Sequence, residues 1–231
     1  MTNSQLFRIG GLGLFVGAVV FVIHVVSRSL ITAGVDPAVS AQEGPWVPIN
    51  ALSAVGAALV LLGLPAVYAW MAGPTGLPGL VGVTLIEVAW MFFGVFLSLY
   101  SELVLPWLAD KAPSLVADSA PLPVGFVVAF IIGLVAWFVG AVLLTAPFIG
   151  GRVGPRWVGY VLPASALWVV VGDLAIAPSG PAKNLAINLL SNLGQVLLMV
   201  GVGYLGFRVW VEPLHPACSA NQPDFRERIF F

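Results

Sequence analysis

Six stretches of roughly twenty or more predominantly apolar residues succeed one another along the chain: about Ile9 to Ile31, Val47 to Ala72, Gly79 to Tyr100, Pro123 to Phe148, Pro155 to Ile176 and Asn184 to Trp210. A helix rising 1.5 Å per residue needs about 20 such residues to cross the ~30 Å of bilayer hydrocarbon. Inside that layer a peptide group finds no water, so a single stretch must satisfy its backbone internally as a helix. The expected fold is therefore all-α: a polytopic membrane protein built as a bundle of six transmembrane helices. Composition sharpens this. Only 8% of the 231 residues are charged, against about a quarter in soluble domains, which leaves little chain for a soluble domain. Residues 1–212 are expected to form the transmembrane domain and 213–231 a cytoplasmic tail.

Gly-Pro and Pro-rich clusters fall between the stretches, at Gly44-Pro45, Gly73-Pro74, Pro121 to Pro123, Gly154-Pro155 and Pro178 to Pro181. Such short connections make successive helices antiparallel neighbours. The longer segment from Tyr100 to Pro121 mixes Trp107, Leu108, Leu115 and Val116 with Asp110, Lys111 and Asp118, which suits either a short interfacial helix or a solvated loop. Arg8 before the first apolar run resembles the start of a secretory signal, but the run is too long and contains His24 and Arg28, so it is read as the first transmembrane helix. With six spans, Arg8, Arg152, Arg156, Arg208, Arg226 and Arg228 fall on one side, and Arg28, Lys111 and Lys183 on the other. Positive residues concentrate on the cytoplasmic side, so both termini are expected there.

Polar side chains inside such helices mark sites, because hydrocarbon offers them nothing to bond. Asn184, Asn188, Asn192 and Gln195 are spaced four, four and three residues apart, which places their amides within roughly 80° of one another on a helix. His24 and Arg28 lie one turn apart on helix 1, and Asn50 and Ser53 open helix 2. Glu87, Gly94, Ser98 and Glu102 lie along helix 3, and Asp173 near the end of helix 5. Most of these fall in the outer half of the membrane. They predict an outward-opening polar cavity, with Glu87, Asn188, Asn192 and Gln195 at its floor, His24, Arg28, Glu102 and Asp173 at its rim, and Asn50 in its wall. The alternative for each is structural: helix-end charges that snorkel, and amides that bond between helices. Gly13 and Gly17 form a Gly-xxx-Gly pair suited to close packing within the bundle or against a second copy.

Counting excludes several chemistries. One cysteine, Cys218, permits no intramolecular disulfide and no Cys-based metal cluster. Two histidines, His24 and His215, build neither a bis-His haem nor a multi-histidine zinc site. A metal site of His24, Glu102 and Asp173 would require those three to converge; no metal and no cofactor is expected. A net charge of −1 without a basic run excludes a nucleic-acid binder. The expected partners are membrane lipids and a small hydrophobic or amphipathic ligand, with a second copy or a partner membrane subunit as further candidates.

Arg8-Ile9-Gly10-Gly11-Leu12 opening helix 1, Ile86-Glu87-Val88 with its apolar continuation through Leu99, and Pro155-Arg156-Trp157-Val158-Gly159 opening helix 5 form a pattern. It resembles that of small six-helix bacterial integral membrane proteins of unknown function. The resemblance implies the fold and a bacterial inner-membrane location, and no activity. That family often carries an acidic residue in its last helix, where this chain has Asn192 and Gln195. The leading functional expectation is binding or transport of a small polar or amphipathic ligand, with Pro65, Pro147 and Pro163 supplying kinks. One alternative is an enzyme acting on a lipid or isoprenoid, with Glu87 or Asp173 as general acid and Trp90, Trp137 and Trp168 in its walls. Another is an accessory subunit whose polar faces meet a partner.

Overall fold

The computed structural model describes residues 3–116, 123–151, 153–172 and 184–212, and contains no strand among them. Asp173, Lys183 and the expected tail lie outside the described residues. Helix α1 covers Asn3–Ile31, a short turn α2 covers Pro37–Ser40, and α3 covers Trp46–Trp90. The chain then runs through a π-helical stretch (Met91–Phe96), α4 (Leu97–Leu99), a second π stretch (Tyr100–Val104) and α5 (Leu105–Lys111). Helices α6 (Val124–Ile149), α7 (Arg156–Val171), α8 (Leu185–Ser191) and α9 (Leu193–Val211) complete it. Four helical runs are long and apolar enough to cross a membrane: Gln5–Ile31, Trp46–Lys111, Val124–Ile149 and Leu193–Val211.

The second and third apolar stretches thus belong to one helical run of 66 residues. Straight, it would reach ~99 Å, about three bilayer cores. It does not run straight. Gly76 sits at φ 54°, ψ −146°, a conformation open only to glycine, and the chain turns back on itself there. Trp90 Nε1 donates to Ala57 O at 3.2 Å, and Trp46 Nε1 donates to Ser101 O at 2.7 Å. The two legs therefore lie antiparallel, with Gly76 at their common end.

The return leg continues past Tyr100, where a separate surface segment was one expectation. Pro106 has no N–H to give the helical ladder, and the helix widens into its second π stretch immediately before that residue. Trp107 and Leu115 stay exposed, while Ala109 and Val116 join Trp46 and Ala41 in a small apolar cluster that caps this end of the bundle. Gln42 Nε2 ties the cap together by donating to Ala109 O at 2.9 Å. The last stretch also departs from a single helix. At Asn192 ψ is 0°, and Gln195 N–H reaches back only three residues, to Asn192 O.

Packing closes the helices into a ring: α1 against α3 and α9, α3 against α6, α6 against α7, and α7 against α9. Near the end that carries the start of α1, glycines let backbones touch. A Cβ on Gly63 would stand 2.6 Å from Gly10 O, one on Gly206 2.8 Å from Gly11 O, and one on Gly140 2.7 Å from Gly82 O. Of the Gly13 and Gly17 pair, Gly17 is the close contact, 2.8 Å from Gly56 O by the same measure, whereas Gly13 has room. Leu14, Val60, Leu64, Met71, Leu144, Phe148, Leu162 and Leu205 fill the interior there. Large apolar side chains such as Leu62, Leu103 and Val124 project outward instead, as a lipid-facing surface requires.

Candidate functional site: a two-sided cavity

Toward the other end the helices stand apart around a cavity of about 340 Å³, at the lower end of the 300–1,000 Å³ range of small-molecule sites. Helical periodicity sets its walls. Phe21, His24 and Arg28 follow one another at offsets of three and four on α1, as do Trp46, Asn50 and Ser53 on the first turns of α3. Asn188, Ser191, Asn192 and Gln195 enter from α8 and α9. Facing them are Trp90, Phe93 and Leu97 from the return leg, Phe130 and Trp137 two turns apart on α6, and Val169 on α7. One side of the cavity is amide, imidazole and hydroxyl; the other is aromatic and aliphatic.

The polar side is a connected network. Asn50, fully buried, donates from Nδ2 to Trp46 O at 2.9 Å. Asn188 Nδ2 donates to Thr32 Oγ1 at 3.2 Å and to Ser29 O at 3.5 Å, tying α8 to α1. Asn192 Nδ2 donates to Asn188 O at 2.9 Å and to Ser29 Oγ at 3.3 Å, and Gln195 Nε2 donates to Asn192 Oδ1 at 3.2 Å. His24, 3% exposed, places Nδ1 2.8 Å from Ile49 O. A carbonyl only accepts, so Nδ1 carries the proton. The hydroxyl of Ser98 donates to Gly94 O, and that of Ser53 donates to Ser98 Oγ at 2.5 Å, which joins the two legs of the hairpin.

On the aromatic side the rings brace one another. Phe93 meets Phe130 edge-on at 5.2 Å and Trp137 at 5.7 Å between centroids, and Phe21 meets Trp90 at 4.9 Å. Arg28 lies with its guanidinium carbon 5.6 Å from the Trp46 ring centroid, a favourable cation–π distance. Two buried polar atoms of the lining have no hydrogen-bond partner among the described residues: Asn50 Oδ1 and Trp137 Nε1. Unpaired groups of this kind carry a desolvation penalty of about 1–3 kcal/mol each.

Of the residues expected at a site, His24, Arg28, Asn50, Asn188, Asn192 and Gln195 come together around this cavity. Glu87 and Glu102 do not line it, and Asp173 lies outside the described residues. The expectation that Glu87 forms the floor is therefore corrected. It is half-buried on the flank of its helix, beside the exposed Thr84 and Val88, while Trp90 turns inward. The reason is the first π stretch. A π turn holds more residues than an α turn, so the offsets from Glu87 to Gly94, Ser98 and Glu102 no longer keep one face. Gly94 and Ser98 are buried, whereas both glutamates stay at the edge. Asn184 also leaves the stripe: its Oδ1 accepts from Ile187 N at 2.9 Å and caps α8.

Trp90 and Trp137 line the cavity, but Trp168 does not; its Nε1 donates to Leu190 O at 2.9 Å. Among the described residues the lining contains no carboxylate; Glu87, one of the two acids of the enzymatic reading, stands outside it, and the other, Asp173, lies outside the described residues. No group of three His, Cys, Asp or Glu side chains that would hold a metal ion occurs among the described residues. Phe21, Phe93, Phe130, Trp46 and Ser191 belong to the lining without having been singled out from the sequence. In helices apolar all round, no periodicity separates an inward phenylalanine from a lipid-facing one.

Protein-family models, curated proteins and solved structures were each compared with the chain, and none matches.

Proposed function

We propose that this chain crosses the membrane six times with both termini on the cytoplasmic side, and that its cavity binds or passes a small polar or amphipathic molecule arriving from the outer side. The observation that carries the reading is the two-sided cavity itself: a polar network facing a braced aromatic wall, the arrangement that holds a molecule with one polar and one apolar side. Six crossings are supported by the reversal at Gly76, which divides the 66-residue run into two antiparallel legs, and by α7 and α9 closing the ring. The orientation is supported by charge. Arg8 donates to Trp210 O at 3.1 Å, and Arg208 lies over Trp70, so these cations share one end, while Arg28 and Lys111 lie toward the other. The likeness to small bacterial six-helix proteins supports a bacterial inner membrane.

Native mass spectrometry of the protein gently extracted from its own membrane tests the binding reading. A discrete small molecule released from the wild type, and lost in Leu97→Trp, whose indole would occupy the cavity, is the expected result. An empty wild type accompanied by a stoichiometric protein partner overturns it in favour of an accessory subunit. The topology is tested in a Cys218→Ser background: Glu43→Cys labels from outside with an impermeant maleimide, and Gly150→Cys labels only after permeabilisation.

A further inference from the structure

The amide network decides more than the presence of a polar wall. Each amide's orientation follows from a partner that only accepts. Asn50 Nδ2 faces Trp46 O, and Asn192 Nδ2 faces Asn188 O. With Asn192 so fixed, its Oδ1 is the oxygen that Gln195 Nε2 must meet. Asn188 Nδ2 is likewise committed to Ser29 O and Thr32 Oγ1. Every amide N–H₂ of the wall is thus oriented by a partner inside the protein, with one N–H each of Asn50 and Gln195 left over. Asn50 Oδ1, Asn188 Oδ1 and Gln195 Oε1 receive no hydrogen bond among the described residues. His24 adds a further acceptor, Nε2, because its proton is on Nδ1. The polar wall therefore offers oxygen and nitrogen lone pairs beside the Arg28 guanidinium and the second N–H of Asn50 and Gln195, and the aromatic wall offers one donor, the unpaired Nε1–H of Trp137.

We infer that the molecule this cavity takes is a neutral hydroxylated amphipath, whose O–H groups donate to the acceptors of the polar wall and whose oxygen accepts from Trp137, with an apolar body against Phe93 and Phe130. This rests on the ligand-binding reading above and names the chemistry of that same site. A hydroxyl both donates and accepts, so it satisfies Asn50 Oδ1 and Trp137 Nε1 alike. A carboxylate has no proton for Asn50 Oδ1, which stays unpaired. An ammonium accepts nothing from Trp137 Nε1, which stays unpaired. The apolar wall adds area that excludes water and contributes in proportion to what it covers.

Equilibrium dialysis of three probes with the same ring, phenethyl alcohol, phenethylammonium and phenylacetate, against the full chain in nanodiscs tests this. Saturable binding of the alcohol about tenfold tighter than of either ion is expected, the difference made by one well-placed hydrogen bond. Trp137→Phe keeps a ring but loses the N–H, and Asn50→Leu loses the acceptor. Each should bring the alcohol down to the affinity of the ions. If either ion binds as tightly as the alcohol, and Leu97→Trp abolishes that binding, the hydroxyl assignment falls while the cavity reading stands. If no probe distinguishes wild type from Leu97→Trp, both fall. Alcohol affinity unchanged in both Trp137→Phe and Asn50→Leu also overturns the assignment.

Discussion

The two ends of this bundle are built from the same few residue types and packed in opposite ways. At the end where α1 begins, Gly11, Gly63 and Gly206 bring backbones so close that a single methyl group would collide with a neighbouring carbonyl. At the end where α1 finishes, Trp46, Phe93, Phe130 and Trp137 keep the helices apart, and polar side chains occupy the gap. Lipid is as apolar as leucine, so helices in a membrane gain nothing from apolar burial alone; they associate through close contact or through hydrogen bonds. The first predominates at the end where α1 begins; at the other, hydrogen bonds join α8 and α9 to α1, while Gly172 and Gly194 keep α7 close to α8 and α9. Close packing leaves no room for a ligand, whereas a hydrogen-bonded end tolerates a space between helices and places polar atoms around it.

Four substitutions probe that division, in descending order of expected effect. Gly63→Leu forces a side chain into Gly10 O and Leu14 Cβ, each 2.6 Å from the Cβ position. It should destabilise the protein by about 3 kcal/mol, visible as a collapse of the monodisperse peak on heating and size exclusion. A normal melting profile would mean that the glycine end is not closely packed. Next, Trp46→Phe removes the buried bond to Ser101 O and weakens the ring face under Arg28. We expect a loss of about 1–2 kcal/mol, read as a lower thermal midpoint with the fold retained.

Asn192→Leu lies at the polar end and breaks a bond to α1, through Ser29 Oγ, that is worth about 0.6 kcal/mol on average in membrane proteins. Its stability should scarcely fall, while whatever the wild type retains in native mass spectra should be lost. A large drop in stability with ligand retained would make the amides structural. Glu87→Gln should do least. Its carboxyl has no hydrogen bond or ion pair among the described residues and stands off the cavity, so neutralising it should change the melting midpoint by the equivalent of about 0.5 kcal/mol or less. Loss of bound ligand in this variant would return Glu87 to the site.

How far the site was legible in the residues differs from helix to helix, for a physical reason in each case. His24, Arg28, Asn188, Asn192 and Gln195 sit at offsets of three and four on nearly regular helices, and regularity carries a face faithfully from sequence to space. Even the tightened turn at Asn192 keeps Gln195 on the stripe. On the return leg the same reasoning put Glu87, Gly94, Ser98 and Glu102 together, and the π stretch separated them. Nothing in Met91 to Phe96 announces a π turn, since its residues are ordinary helix formers in hydrocarbon. The aromatic wall was hidden differently. Phe130 belongs to a helix that is apolar on every side, so only the position of its neighbours distinguishes the ring that faces a cavity from the one that faces lipid, whereas Trp90 and Trp137 were named from the sequence as wall residues.

What the residues determine alone is everything that depends on solvent and on local chain geometry. Long apolar runs must be helices in hydrocarbon, proline and glycine clusters separate them, and polar atoms within them must find partners. What the tertiary structure decides is which partners those are. The reversal at Gly76 brings Ser53 to Ser98 and Trp90 to Ala57. The closing of α9 onto α1 commits the amide hydrogens of Asn188 and Asn192 to Ser29 and Thr32. That commitment leaves Asn188 Oδ1 without a donor among the described residues. Hydrogen bonds are short and directional, so their pairing is settled by positions in space that residue order along the chain does not contain.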